Sequence, residues 1–296
     1  MGSYHIRDLE SLSGIKAHTI RMWEHRYGLL RPSRTRTNIR RYSDKELKHL
    51  LNIALLQRRG YRISRLASMP ASEIQQLVAQ LVTHDFSSPA QIHALMQAMV
   101  DFDQRAFHRL LETIIAQLGF DAAMDNVVFP FLERIGVMWQ TGSINVAQEH
   151  MISHLIRQKI TVAIDRVMAD IIPQDPKVVL FLPEEELHEL SLLYAHYLLV
   201  RQQRKTLYLG QNVPLEDLRE ACQVFQPEYG ICIITSKPSE RRLQAYISEL
   251  QEIFKGRILF VGGLRLMFSR SLKLPQNFKY FSSREQLKMF LSQLAT

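Results

Sequence analysis

The densest chemistry in the chain is a run of arginines. Arg34, Arg36, Arg40 and Arg41 fall within eight residues, in the stretch Arg34-Thr35-Arg36-Thr37-Asn38-Ile39-Arg40-Arg41-Tyr42. Just upstream, Lys16, His18, Thr19, Arg21, Met22 and Arg26 are spaced along one short segment. A guanidinium donates two hydrogen bonds at once in a fixed fork, which suits guanine edges and phosphate oxygens. Residues 1–65 hold 15 Lys/Arg and 5 Asp/Glu, a balance of 15 − 5 = +10, while the remaining residues hold 22 and 24, a balance of −2. A basic head on a near-neutral body is the electrostatic pattern of a nucleic-acid-binding module, although basic residues also simply solubilise small domains.

These side chains need elements to hold them. A helix over about residues 6–12, a turn at Ser13-Gly14-Ile15 and a second helix over about 17–27 make a helix-turn-helix. The second helix of such a motif enters the major groove with its early residues at base edges. Ser43 with Glu46 three residues on is a capping-box start for a later helix, which Gly60 ends. The arginine run between these helices suits a wing lying on the phosphate backbone.

Residues 71–170 show no strand alternation. Apolar residues recur at threes and fours, as in Phe107, Leu110, Leu111, Ile114 and Ile115, and predict a bundle of four or five amphipathic helices. From residue 175 the pattern changes. Short apolar runs at 178–182, 206–210, 229–234 and 258–263 alternate with helical stretches at 188–203, 215–225 and 239–254. Buried strands alternating with helices predict a parallel sheet, whose ligands sit beyond the carboxyl ends of the strands. The predicted chain is multidomain. An α winged helix-turn-helix head spans 1–72, an α-helical bundle spans 73–172, and an α/β Rossmann-like parallel sheet spans 173–296.

Other classes are excluded or unsupported. No apolar stretch of about 18 residues is present, so no membrane span is expected. The first residues carry no apolar secretion segment, and a cytoplasmic protein is expected. Cys222 and Cys232 cannot build a disulfide framework and are poorly spaced for zinc. No Ser-His-Asp, P-loop or metal-protease signature appears, so no catalytic residue is assigned and no enzyme is expected.

The head resembles the MerR family of winged-helix transcription regulators. The resemblance is carried by Tyr4-His5-Ile6-Arg7, by Leu12-Ser13-Gly14-Ile15, by the run from Thr19 through Trp23-Glu24-His25-Arg26-Tyr27-Gly28 to Thr35, and by Arg41-Tyr42-Ser43. The Trp23-Glu24-His25-Arg26-Tyr27-Gly28 run in the second helix looks more like the carotenoid and motility branch than the metal-sensing branch, and two parts of the metal-sensor pattern, a long dimerisation helix after the head and a C-terminal cysteine loop, are missing. The resemblance implies contacts to double-stranded operator DNA by the second helix and wing, here Arg21, Arg26, Arg36, Arg40, Arg41 and Tyr42, with Lys16, His18 and Thr19 beside them. Trp23 reads equally well as core of the small domain.

From about residue 90 the chain resembles the helical cap and Rossmann-like pair of cobalamin-binding domains. Trp139, nine residues, then Glu149-His150 has the spacing that in light-responsive CarH-like regulators sets these groups over the upper face of adenosylcobalamin. The alternative is a core tryptophan and two surface polar residues. The cobalamin pattern of acid-x-His, Ser-x-Leu and Gly-Gly also finds partners. Here they are Glu186-Leu187-His188-Glu189-Leu190-Ser191, then 40 residues to Cys232, then 27 residues from Ile234 to Gly262-Gly263. Ser191 stands where the family has Gly, and Cys232 where it has Ser.

By this resemblance His188 ligates the cobalt of cobalamin, its other ring nitrogen oriented by Glu186. The nucleotide tail slots into the sheet past Gly262 and Gly263, and a thiol at Cys232 contacts it weakly. Gly210, in a segment similar to the loop after the second strand or else an ordinary turn, and Ser236 complete the cofactor set. The resemblance implies a repressor that assembles as a dimer or tetramer with the cofactor bound and falls apart in light. A second reading keeps the fold without the cofactor, the body then serving as a dimerisation or interaction module for an antirepressor protein. A third, a cobalamin enzyme or carrier, is disfavoured by the basic head.

Overall fold

The computed structural model describes residues 3–35, 37–84, 88–140, 144–169, 171–235, 240–263 and 274–293. By internal contacts the chain divides into two compact units, Met1–Leu155 and Ile156–Thr296.

The first unit opens with β1 (Ser3–Tyr4), α1 (Ile6–Ser13) and α2 (Ala17–Tyr27), then β2 (Ser33–Arg34), β3 (Arg40–Ser43) and α3 (Asp44–Arg58). Gly14 and Gly28 end the two helices in the left-handed conformation, at φ 72° and 61°, where a side chain would be strained. Strand β3 pairs antiparallel with both β1 and β2, making the three-stranded wing in the order β1-β3-β2. The expected capping box is present. Ser43 Oγ accepts from the Glu46 amide, and Glu46 Oε2 accepts from the Ser43 amide at 2.7 Å. Such a cap is worth about 1 kcal/mol.

Next come α4 (Ile63–Ser68), α5 (Ala71–His84), α6 (Ser88–Val100), α7 (Gln104–Leu118), α8 (Phe120–Ala123), a π-turn over Met124–Val128, α9 (Phe129–Gln140) and α10 (Val146–Met168). The last three pieces before α10 run on as one helical rod. Head and bundle share one core: α1 packs against α9, and α3 against α5 and α6. The α3 side chain Lys48 is ion-paired with Asp101, and the Gln97 amide donates to Asn52. Phe107 and Phe131 meet at 5.7 Å between ring centroids in the bundle interior.

The second unit holds β4 (Gln174–Pro183), α11 (Leu190–Arg201), β5 (Arg204–Val213), α12 (Leu215–Phe225), β6 (Tyr229–Ile233), α13 (Glu240–Ile253), β7 (Ile258–Gly262), β8 (Phe278–Phe281) and α14 (Arg284–Gln293). The strands are all parallel, in the order β5-β4-β6-β7-β8. Every β4 residue from Val178 to Leu182 is fully buried, the mark of a central strand covered on both faces. Helices α11 and α14 lie on one face, α12 and α13 on the other. Strand β8 and α14 are absent from the sequence expectation; Phe-Lys-Tyr-Phe is too short and too mixed to stand out as a strand.

The segment around Gly210 is a correction. Strand β5 runs through it to Val213, so it is neither loop nor turn. Leu180 pairs with Tyr208 but Phe181 pairs with Gly210, which leaves one extra residue on β5. Gly210 takes φ 77°, the left-handed geometry that a bulge asks of glycine.

Candidate functional site

In the head, burial sorts the expected contact residues. Ile20 and Trp23 face the core at 0% and 2% exposure, which makes Trp23 a packing residue. The same helix therefore turns His18, Arg21 and Arg26 outward, with Thr19 half-buried. Lys16 is the residue before α2. It pairs with Glu10 at 3.2 Å and is itself exposed. Glu10 also accepts from the Ala17 amide at 3.2 Å, so the end of α1 closes the start of α2. These two partners, Lys16 first, hold the Glu10 carboxyl below its ordinary range.

The wing shows a division of labour that the arginine count hides. Side chains alternate along β3, so Arg40 and Tyr42 share a face and Arg41 takes the other. Arg40 Nε donates to Glu24 Oε1 at 2.9 Å, and the Tyr42 hydroxyl donates to Glu24 Oε2 at 3.0 Å. Tyr42 is 1% exposed, so it is a positioning residue and not the surface contact expected of it. Burial, then Glu24, pushes its phenol up. Glu24 holds Arg40 firmly protonated in the same way. Arg41 is half-buried on the opposite face. Arg36 lies outside the described residues. Glu24, which reading by residue type passed over, is the centre of this arrangement. An acid among so many bases on a reading helix was the available signal.

In the second unit the key loop follows β4. Glu186 is fully buried, and its Oε1 accepts from His188 Nδ1 at 2.6 Å and from the His188 amide at 3.1 Å. Its Oε2 accepts from the Thr235 amide at 2.7 Å, just past β6. Glu186 thus ties the end of β4 to the end of β6. Because β4 sits between β5 and β6, this is the point where strand order reverses, the place such sheets bind ligands. With Nδ1 as the donor to Glu186, Nε2 carries the ring's in-plane lone pair, and the side chain is 68% exposed.

Beside this loop, Glu189 pairs with Arg157 of α10 at 2.6 Å and accepts from the Tyr208 hydroxyl at 3.4 Å. Ser191 occupies the first turn of α11, half-buried, where helical backbone has no need of glycine. Cys232 is fully buried on β6, and burial pushes its thiol up. Gly262 and Gly263 end β7. A Cβ on Gly262 would meet the Phe281 ring at 2.1 Å, and one on Gly263 would meet the Ile234 carbonyl oxygen at 2.1 Å. Trp139 lies on α9 with its side chain outside the described set. Glu149 and His150 lie on α10, where Glu149 accepts from Ser153 at 2.7 Å and His150 is exposed. Ser236 lies outside the described residues. No group of three or more metal-ligating side chains forms among the described residues. The oriented His188 imidazole at the strand-order reversal fits the cobalamin that the sequence resemblance implies. No described helix is long and apolar enough to cross a membrane.

Comparison with known proteins follows these two sites. The MerR HTH family regulatory protein model matches residues 4–72, and the B12 binding domain model matches residues 91–164. The chain is 30% identical over 268 residues to the HTH-type transcriptional repressor CarH of Myxococcus xanthus, covering 88% of this chain and 89% of that protein. It is 27% identical over 296 residues to the HTH-type transcriptional repressor CarA of the same organism, covering 98% and 96%. Among solved structures, the Methanosarcina barkeri monomethylamine corrinoid protein superposes with a TM-score of 0.53 at 12% identity, over 67% of this chain and 95% of that one, a likeness of fold. The chain belongs to the MerR HTH family of regulatory proteins, in the branch that joins such a head to a B12-binding domain.

Proposed function

We propose that this chain is a transcriptional repressor that binds double-stranded operator DNA, with assembly and DNA affinity set by adenosylcobalamin and light. The observation that carries the reading is the Glu186 clamp on His188 at the strand-order reversal, in a chain whose head turns Arg21 and Arg26 outward. The functional parts are the head over 1–72, the bundle over 73–172 and the sheet domain over 173–296.

His188 would hold the cobalt through Nε2, kept in one tautomer by Glu186. By the resemblance, Gly262, Gly263, Cys232 and Ser236 would be the residues that take the tail. Trp139, Glu149 and His150 would cover the upper face by the spacing described above. Adenosylcobalamin supplies a cobalt–carbon bond that light breaks. A bound ligand shifts an assembly equilibrium only by its preference for one state, so the loaded dimer or tetramer must hold the cofactor more tightly than the released form does. On the DNA, Lys16, His18, Thr19, Arg21 and Arg26 would face the groove, while Arg36, Arg40 and Arg41 would approach the backbone.

The test is direct. Protein purified in the dark is loaded with adenosylcobalamin, freed of excess, and run on a sizing column before and after green light. A coloured species that changes size on illumination is the expected result. A colourless protein of unchanged size overturns the cofactor control. That outcome favours the second reading, in which the buried thiol at Cys232 marks a lost site and the body engages an antirepressor protein.

A further inference from the structure

Residues Phe181, Cys232, Val261 and Tyr280 form one row across the sheet, each in register with the next. Register partners in a parallel sheet share a face, and this face packs under α12 and α13. The layer there is mostly apolar, with Val179, Leu218, Leu243, Ile247, Leu250 and Phe254 among its members. Three polar groups interrupt it: the Cys232 thiol, the Tyr246 hydroxyl from α13 and the Tyr280 hydroxyl from β8. Both hydroxyls are buried and have no hydrogen-bond partner among the described residues. Nearly every buried polar group in a native structure has one. A phenol left alone among aliphatic side chains is therefore expected to find its partner on a ligand.

We infer that the Tyr246 hydroxyl is the donor that recognises the base of cobalamin's nucleotide tail, in place of the hydroxyl that Cys232 lacks. The inference rests on the cobalamin reading above. A thiol is a weak donor, so a chain with cysteine at this position needs a stronger one nearby to hold a ring nitrogen in a dry slot. Tyr246 packs on the cluster that contains Cys232, and burial pushes its phenol up. Tyr280 stands two strands from Cys232, about 10 Å by strand spacing, and is the poorer candidate. Thr235 Oγ1 is also buried without a partner, but its backbone is committed to Glu186. In sequence, Tyr246 falls between Leu243 and Leu250 on an apolar stripe and reads only as packing.

The experiment compares adenosylcobalamin with adenosylcobinamide, which keeps the corrin and the adenosyl group but lacks the nucleotide tail. Binding of each to the full-length protein is titrated in the dark by visible absorbance. The ratio of the two dissociation constants isolates the tail. Tyr246→Phe is expected to cut the preference for cobalamin about tenfold and to leave cobinamide binding unchanged, as loss of one buried hydrogen bond does. Adding Cys232→Ser to that variant should restore the preference, a rescue that a purely structural role would not give. Cys232→Ser alone should change the ratio little. If that single variant instead raises the preference about as much as the rescue does, the protein had no compensating donor and the assignment fails. An unchanged ratio in Tyr246→Phe also overturns it, while retained colour with both corrinoids leaves the cofactor reading standing. If wild-type protein retains neither corrinoid, the cofactor reading falls and takes this inference with it.

Discussion

The Tyr42 hydroxyl donates to Glu24 Oε2 at 3.0 Å, which fastens the wing to the reading helix by a side chain buried in the head. The described bonds within the wing turn run among Arg34, Thr35, Thr37, Asn38 and Ile39, whereas the Tyr42 and Arg40 bonds to Glu24 reach α2 and bear on where the wing arginines point. Glu24→Gln should therefore weaken operator binding about tenfold although Glu24 itself has the wrong charge to touch phosphate. Fluorescence anisotropy with operator DNA, beside a thermal melt that shows the head still folded, checks it. Binding at the wild-type level would mean that the wing is positioned by other means.

Arg21 and Arg41 make a different kind of prediction. Arg21 is exposed on α2 and Arg41 half-buried on β3, and under the proposed function each would neutralise a phosphate or read a base edge. Replacing either with Ala should lower the slope of log affinity against log salt by about one if it contacts phosphate. Loss of affinity with an unchanged slope and relaxed sequence preference would assign that residue to a base instead.

His188→Ala should abolish imidazole ligation and leave a bound corrinoid with the visible spectrum of a water-ligated or tail-ligated form. Glu186→Gln should keep the ligand but loosen it, since a neutral amide orients the ring less firmly than a carboxylate, with a loss of about 10- to 100-fold in affinity. Titration in the dark separates the two. A His188→Ala spectrum identical to the parent's would remove His188 from the cobalt.

Much of this was readable before any coordinates. The head was legible because its stops are local: Gly14 and Gly28 must take left-handed backbone, and Ser43 with Glu46 forms a cap within four residues. Strands β4 to β7 were legible as short apolar runs. What escaped depends on partners distant in sequence. Gly210 resembled a turn glycine until its register against Phe181 showed a bulge. Tyr42 looked like an exposed wing residue because nothing local says that Glu24, 18 residues earlier, waits for its hydroxyl. The Glu186 bond to Thr235 spans 49 residues and follows only from the strand order.

Gly263 offers a test that is independent of any ligand. It takes φ 119°, and a Cβ there would press into the Ile234 carbonyl at 2.1 Å. Gly263→Ala should cost about 3 kcal/mol of stability, as backbone strain and overpacking combine. Urea unfolding of the protein without cofactor measures it. A loss below about 1 kcal/mol would show that the strand end relaxes easily.

His196 links stability to pH. Its ring stacks on Tyr208 at 4.9 Å, and Nε2 lies 3.0 Å from Thr206 Oγ1. Burial pushes its pKa down from 6.5 to about 4. The unfolded chain therefore binds the proton first as pH falls. The stabilising contribution is complete above about pH 6.5 and is lost progressively down to about pH 4, a change of about 3 kcal/mol. Urea midpoints at pH 5 and pH 7 should differ more for the wild type than for His196→Gln. Equal differences would place the acid sensitivity elsewhere.

The core shared between α3 and helices α5 and α6, and between α1 and α9, bears on how such regulators can be recombined. A reading head cut away after Pro70 would expose Leu51 and Leu55 and lose the Lys48–Asp101 pair. Transplanting this operator preference onto another sensor would require carrying the bundle along, with the seam placed inside α10 near residue 155. Swaps made there, or among the loops of the sheet unit, leave the specificity apparatus whole, so new signals can be acquired without relearning the DNA.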